Sequence, residues 1–177
     1  WAALGTRVLR LHRLSEQLLR GSRGGLTEQA LGAALREIIA ALLESSERAL
    51  QGHGCELTPV GLWVRMRPWA RQVQELALLC SCDIAVPTWL PQGLGLLEHL
   101  FQHCCTRQAS ACLLQAHPRP ACVAAPPGEL VGHYLFQRAL EPYLLCVAAW
   151  AFRGELQDPF GEFTEPAGPR PGACRRL

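Results

Sequence analysis

An all-helical fold is what this sequence predicts, and three observations carry the prediction. Apolar residues recur at spacings of three and four from end to end, the period of a helix buried on one face. Period-two alternation, the mark of a half-buried strand, is nearly absent. Proline and glycine gather between the periodic stretches and divide the chain into about five to six amphipathic helices, an elongated multi-helix bundle.

The first helix is expected over residues 3–20, with Leu4, Val8, Leu11, Leu14 and Leu18 as its stripe and Gly21, Gly24 and Gly25 as its break. Thr27 is read as the N-cap of the second, because its hydroxyl can accept from the free amides of the next turn. That helix reaches about residue 50 with Leu31, Leu35, Ile38, Ile39, Leu42 and Leu43 inward, and Gly52 and Gly54 end it. Thr58-Pro59 is a cap followed by proline at the first helical position, where a missing N–H costs nothing. The third helix then runs to about residue 80 with Val60, Trp63, Val64, Val73, Leu76 and Leu79 inward. Pro68 should kink it by removing one backbone bond and crowding the preceding turn.

Pro91 opens the fourth helix, expected to end near residue 105 with Leu94, Leu97, Leu100 and Phe101 on its stripe. Residues 106–116 read as a short separate helix and 117–129 as a proline-rich connection. The fifth helix begins near Pro127 with Leu130, Val131, Tyr134 and Leu135, bends at Pro142 and reaches Phe152. Arg153 stands where the helix dipole favours a cation, and Gly154 fits the left-handed position just past the end. Residues 1–163 are thus read as one helical bundle. The Pro, Gly and Arg-rich residues 164–177 have almost nothing to bury and are expected to be disordered.

Composition narrows the function classes. The chain has 177 residues, 49% of them apolar, enough for one domain with a core or one piece of a helical array. Formal charge is +2, so no polycation is present to neutralise nucleic-acid phosphates. All 17 basic residues are arginine, which with the heavy use of Ala, Gly, Pro and Leu reads as coding bias. The longest apolar run, residues 143–152, is half of the ~20 residues a bilayer requires, so no membrane partner is expected. No secretory leader pattern is visible, and a chain starting at Trp1 reads as a mature product or an excised fragment. The nine cysteines are odd in number, include the adjacent Cys104 and Cys105, and sit among apolar residues at helical spacing. Buried thiols in a reducing compartment fit this better than a disulfide framework.

Candidate chemistry is thin. His99 and His103 lie four apart on one helix face beside Cys104 and Cys105, and Cys80, Cys82 and Cys112 could be invoked as further zinc ligands. No Cys-x-x-Cys or His-Glu-x-x-His accompanies them, and histidines on a solvated helix edge beside core cysteines are the plainer explanation. Any cysteine could meet any of six histidines, so a thiol nucleophile has no specific support. Glu44 and Glu47 fall on an exposed face, and no phosphate loop follows a strand. No catalytic residue, cofactor or metal is expected, and the chain reads as non-enzymatic. Trp63 and Trp150 are read as core packing and Trp89 as core or groove lining, whereas Trp69, beside Pro68 and between Arg67 and Arg71, should be partly exposed.

The segment least like filler is "EPYLLCVAAWAFRGELQDPFGEF", residues 141–163. Its first half is apolar all round, so that helix should be covered on more than one side. Asp158-Pro159-Phe160-Gly161 has turn chemistry at each position and would reverse the chain, aiming Phe160 and Phe163 at something apolar. The expectation is a helix and corner clamped between neighbouring helices.

The same segment resembles the signature of the gamma-tubulin complex components, a Pro-Tyr…Trp…Gly helix followed by Asp-Pro-Tyr/Phe-Gly-Glu-Phe. Pro142, Tyr143, Trp150, Gly154, Leu156, Asp158, Pro159, Phe160, Gly161, Glu162 and Phe163 match it in order and spacing, with Arg153 inside the run. Upstream, "GTRVLRLHRLSEQL", "LTEQALGAALREIIAALL", "LTPVGLWVRMRPWARQVQELALLC" and "LPQGLGLLEHLFQHC" resemble successive family helices more loosely. Coverage is residues 5–163, nearest the sixth component, then the fifth or fourth. After Phe163 the family continues with an apolar segment, and here "TEPAGPRPGACRRL" departs from it.

That resemblance implies an all-helical domain, the N-terminal of two family-defining ones, which packs laterally against other complex components. It implies a scaffold without catalysis or cofactor, gamma-tubulin being held through the second domain. Assembled rings template microtubules at centrosomes and spindle poles, which implies a cytoplasmic, cytoskeletal location. The main rival is a secreted helical-bundle ligand of cytokine type, which would require disulfides.

Overall fold

A computed structural model of the chain describes residues 2–20, 25–51, 58–83, 90–114 and 127–163. Among these residues the chain forms five α-helices and no strand: α1 (Ala2–Arg20), α2 (Leu26–Gln51), α3 (Pro59–Leu79), α4 (Leu94–Leu114) and α5 (Pro127–Arg153). The fold is the all-α bundle that the periodicity predicts. The expected breaks at Gly52 and Gly54, the side chains of Trp1 and Trp89, Cys55, Cys112, Cys122 and Cys174, and the 164–177 tail lie outside what is described.

The apolar stripes meet around α2, which packs against the other four helices. Its Leu31, Ala34 and Leu35 are fully buried, together with Leu11 of α1, Leu76 and Ala77 of α3, Leu96 and Leu100 of α4, and Leu135 and Ala139 of α5. Removing each such leucine from water contributes about 1.5–3 kcal/mol, so this shared core holds the bundle together. Pairwise contacts fix directions. Gly32 of α2 abuts Leu18 and Ser15 of α1, and Ser45 of α2 accepts from Nε1 of Trp69 on α3 at 2.8 Å. Tyr134 of α5 donates to Glu37 of α2, and Phe101 of α4 meets Phe136 of α5 at 5.8 Å between ring centroids. Helix α2 is therefore antiparallel to α1, α3 and α5.

Local chemistry sets most helix ends. Thr58 caps α3 through its hydroxyl, which accepts from Gly61 N at 3.1 Å, with Pro59 at the first helical position. Helix α3 stops at Cys80, and Ser81 adopts φ 54° as Cys82 N donates back to Ala77 O at 2.7 Å. This closes the helix in the manner usually given to glycine. Arg7 of α1 then clamps Asp83 at 2.5 Å while Arg10 donates to Cys82 O at 3.2 Å, tying α1 to the chain leaving α3. Pro68 and Pro142 sit within α3 and α5, which remain helical through them although each proline removes one backbone bond.

Several expectations need correction. Helix α4 continues to Leu114, so the stretch from 106 is its end and not a separate short helix. No proline or glycine stands in 104–107 to break the helix there. Thr27 is not the N-cap of α2: the helix begins one residue earlier and Thr27 is fully buried inside its first turn. Leu43, Val60, Val64, Leu94, Phe101 and Tyr134 face outward, as does Trp63, 49% exposed.

Candidate functional site: the end of helix five and its corner

Helix α5 runs past the level at which its partner α2 begins. Leu26, the first residue of α2, and Leu145 line one cleft, and α5 continues for eight residues past Leu145. Cys146 and Ala149 stay buried on the bundle side. Leu144, Leu145, Val147, Ala148, Ala151 and Phe152 fall within one arc of the opposite side at 100° per residue. Leu145 is 71% and Phe152 89% exposed. Trp150, on the flank, is 62% exposed, which overturns its expected place in the core. Among the described residues nothing covers the outward arc, whereas Cys146 and Ala149 are covered on the bundle side.

Gly154 ends α5 where the sequence places it. Its φ of 69° is cheap only for glycine, and its N–H closes on Trp150 O at 2.9 Å. Arg153 occupies the last turn, as expected, and is exposed. The chain then reverses at the predicted turn, with Gly161 N donating to Asp158 O at 3.2 Å and Pro159 at the second position. The Asp158 carboxylate fixes the corner by accepting from Glu162 N at 3.0 Å and Phe163 N at 2.9 Å.

That reversal delivers Glu162 to the start of α2. Its carboxylate accepts from the amides of Leu26 and Thr27 and from the Thr27 hydroxyl, supplying partners for amides a helix N-terminus leaves free. The anion also suits the positive end of the helix dipole. Gly25 is small for this reason, since a Cβ there would overlap the carboxylate. Gly93, at φ 57° just before α4, lets the Glu162 carbonyl approach to 3.1 Å of where its own Cβ would stand. Phe163 meets Tyr143 edge to face at 5.2 Å. The motif thus divides. Tyr143, Asp158, Glu162 and Phe163 close the corner on the bundle, whereas Trp150, Leu156 and Phe160 remain on the surface. Phe160 is 39% exposed. Sequence reasoning located the motif but missed that Glu162 caps α2, a contact across more than a hundred residues that no local pattern announces.

The other candidate groups have structural occupations. His99 Nε2 donates to Leu79 O at 3.0 Å, closing a carbonyl at the end of α3. His103 is half-buried, and burial, then the neighbouring His99, holds its pKa below the usual imidazole value. Burial raises the Cys80 and Cys104 thiols, with smaller contributions from Cys82 and Cys105, and it outweighs Arg10 in raising Cys82. Such thiols are poor nucleophiles. Among the described residues, no three His, Cys, Asp or Glu side chains gather to hold a metal ion, and no helix is long and apolar enough to cross a membrane. Glu44 pairs with Arg48 at 2.5 Å on an exposed face.

Comparison with known proteins bears on the whole of this arrangement. The family model described as "Gamma tubulin complex component N-terminal" matches residues 2–164. No curated protein and no solved structure gives a match. Since the family match takes in all five helices, the exposed end of α5 and the Asp158–Phe163 corner, the chain belongs to the gamma-tubulin complex component family.

Proposed function

We propose that this helical unit is a non-enzymatic scaffold piece of a gamma-tubulin complex, and that the projecting end of α5 is a surface through which it contacts another complex component. The exposure of Leu145, Trp150 and Phe152 on one side of a helix end, uncovered among the described residues, carries the reading. Leu144 and Val147 of the same helix end are exposed beside them. Contiguous exposed apolar surface of this kind often marks an interaction site. Covering each of the three largest contributes about 1.5–3 kcal/mol, enough to support association.

Family membership supports lateral assembly with other components and a place in the cytoplasmic cytoskeleton, at the centrosome or another microtubule-organising centre. Gamma-tubulin itself would be held by a further domain of the assembled components, not by this bundle. Residues 1–163 act as the unit on this reading, with 164–177 a separate tail, and the motifs stand nearest the sixth component. The cytokine-type alternative requires paired cysteines, and all five described cysteines are free thiols. Purified, folded chain should bind at least one purified gamma-tubulin complex component in a direct binding assay. A helical protein, by circular dichroism, that binds none of them would remove the basis of the proposal.

A further inference from the structure

We propose that a cavity between α1, α2 and α3 is a binding site for a compact hydrocarbon of about four carbon atoms. The cavity measures about 90 Å3. Leu11, Ile39, Val73 and Leu76 form its inner wall and are nearly out of water, and the half-buried Met66 and Trp69 of α3 also line it. Leu43 lines it too and is 49% exposed, so the cavity reaches the surface there. Folded interiors rarely leave room for more than one water, about 30 Å3. A space three times that size, walled by three helices, is large enough to hold a guest.

The wall decides what can enter. Among the described lining residues the polar side-chain groups are the Ser46 hydroxyl and the Trp69 N–H, and both are engaged. Ser46 donates to Leu43 O at 2.7 Å. Trp69 Nε1 donates to the Ser45 hydroxyl at 2.8 Å, and Ser45 in turn donates to Leu42 O at 2.9 Å. A water molecule needs about two to four polar partners, which this wall does not offer, and a hydrogen-bonding ligand would give up its own on entry. An apolar cavity of about 150 Å3 takes benzene, so at 90 Å3 there is room for about four carbons in place of six. Met66 suits such a site, because an unbranched thioether adjusts to the outline of a guest. Among the described residues α5 contributes nothing to the wall, so the inference stands apart from the proposed contact surface.

Met66 is the only methionine of the chain, so methyl-13C-methionine labelling of the full chain gives a single resonance that reports on the cavity wall. Titration with xenon and with 2-methylpropane should move that resonance along a saturating curve. At equal concentration tert-butanol, the same carbon skeleton bearing a hydroxyl, should leave it unmoved, because the wall has no partner for the hydroxyl. Ser46→Leu enlarges a wall position beside the mouth and should weaken both guests at least about tenfold, with helicity by circular dichroism unchanged. Should that variant lose helicity, Val8→Ile adds one methyl group to the opposite wall and should weaken them about threefold. A shift that grows linearly without saturating would overturn the inference. So would an equal response to tert-butanol, or undiminished binding in a folded variant that fills the cavity.

Discussion

Gly32 lies where α2 crosses α1, and replacing it with alanine tests that crossing. Inside an exposed helix the change gains about 1 kcal/mol, because glycine loses more backbone freedom on folding. Here the new Cβ would stand 2.9 Å from Leu18 Cβ, 3.1 Å from the Ser15 carbonyl oxygen and 3.2 Å from Leu19 Cγ. The first two atoms are fixed to the α1 backbone, so relief requires α1 to move outward and loosen Leu11, which is buried against the same core. Overpacking of this kind costs about 1–3 kcal/mol. Offset by the propensity gain, the net expectation is a destabilisation of up to about 2 kcal/mol, up to roughly 8 °C in Tm for a chain of this size. Gly5 on α1 is the internal control, since nothing lies within 4 Å of its added Cβ. Gly5→Ala should stabilise by roughly 0.5 kcal/mol. Urea unfolding followed by circular dichroism at constant m-value reads both. If Gly32→Ala stabilises the protein as Gly5→Ala does, the two helices do not approach as described.

Three further outcomes follow from single sites. Leu135→Ala, at a fully buried position of α5, should cost about 2–4 kcal/mol in the same urea assay, and a loss under 1 kcal/mol would mean that α5 is not seated in the core. Ser81→Gly should stabilise by about 0.5–1 kcal/mol, because the left-handed backbone at Ser81 costs roughly 1–2 kcal/mol that glycine avoids, less its larger unfolded-state entropy; a destabilised variant would contradict the α3 ending. The Asp83 carboxyl is held below its ordinary pKa, chiefly by the hydrogen bond from Arg7. Its stabilisation is therefore complete above the unfolded value near 3.8 and is lost as pH falls through the lower folded value. The stability gap between wild type and Asp83→Asn should close below about pH 4, and a gap that widens in acid would reverse the assignment.

Where the signals were local, the sequence was legible. Thr58-Pro59 marked the start of α3, Gly154 the end of α5, and the Asp158–Gly161 turn was readable because each residue has its own backbone reason to be there. Periodicity placed Leu11, Leu31, Leu35, Leu76, Leu97 and Leu100 inside. It could not place Val60, Trp63, Leu145 or Trp150, because spacing shows which residues share a face and is silent on whether another helix extends far enough to cover it. Thr27 fits a cap by composition, yet the position is taken by a carboxylate from the far end of the chain. Such long-range satisfaction leaves only indirect traces in a sequence, here the two small residues Gly25 and Gly93 facing Glu162. The candidate site was found through its motif, but its division into a fastening half and an exposed half needed the fold.

Binding of a Trp150→Glu/Phe152→Glu double variant to a purified gamma-tubulin complex component tests the account most directly. Both side chains stand in water in the isolated chain, so the variant should fold with unchanged helicity while its affinity falls at least about 30-fold, some 2 kcal/mol or more. Leu9→Glu, an equally drastic change at an exposed leucine of α1, should bind as wild type does. A folded double variant with undiminished affinity would contradict the assignment of the α5 end as the contact surface.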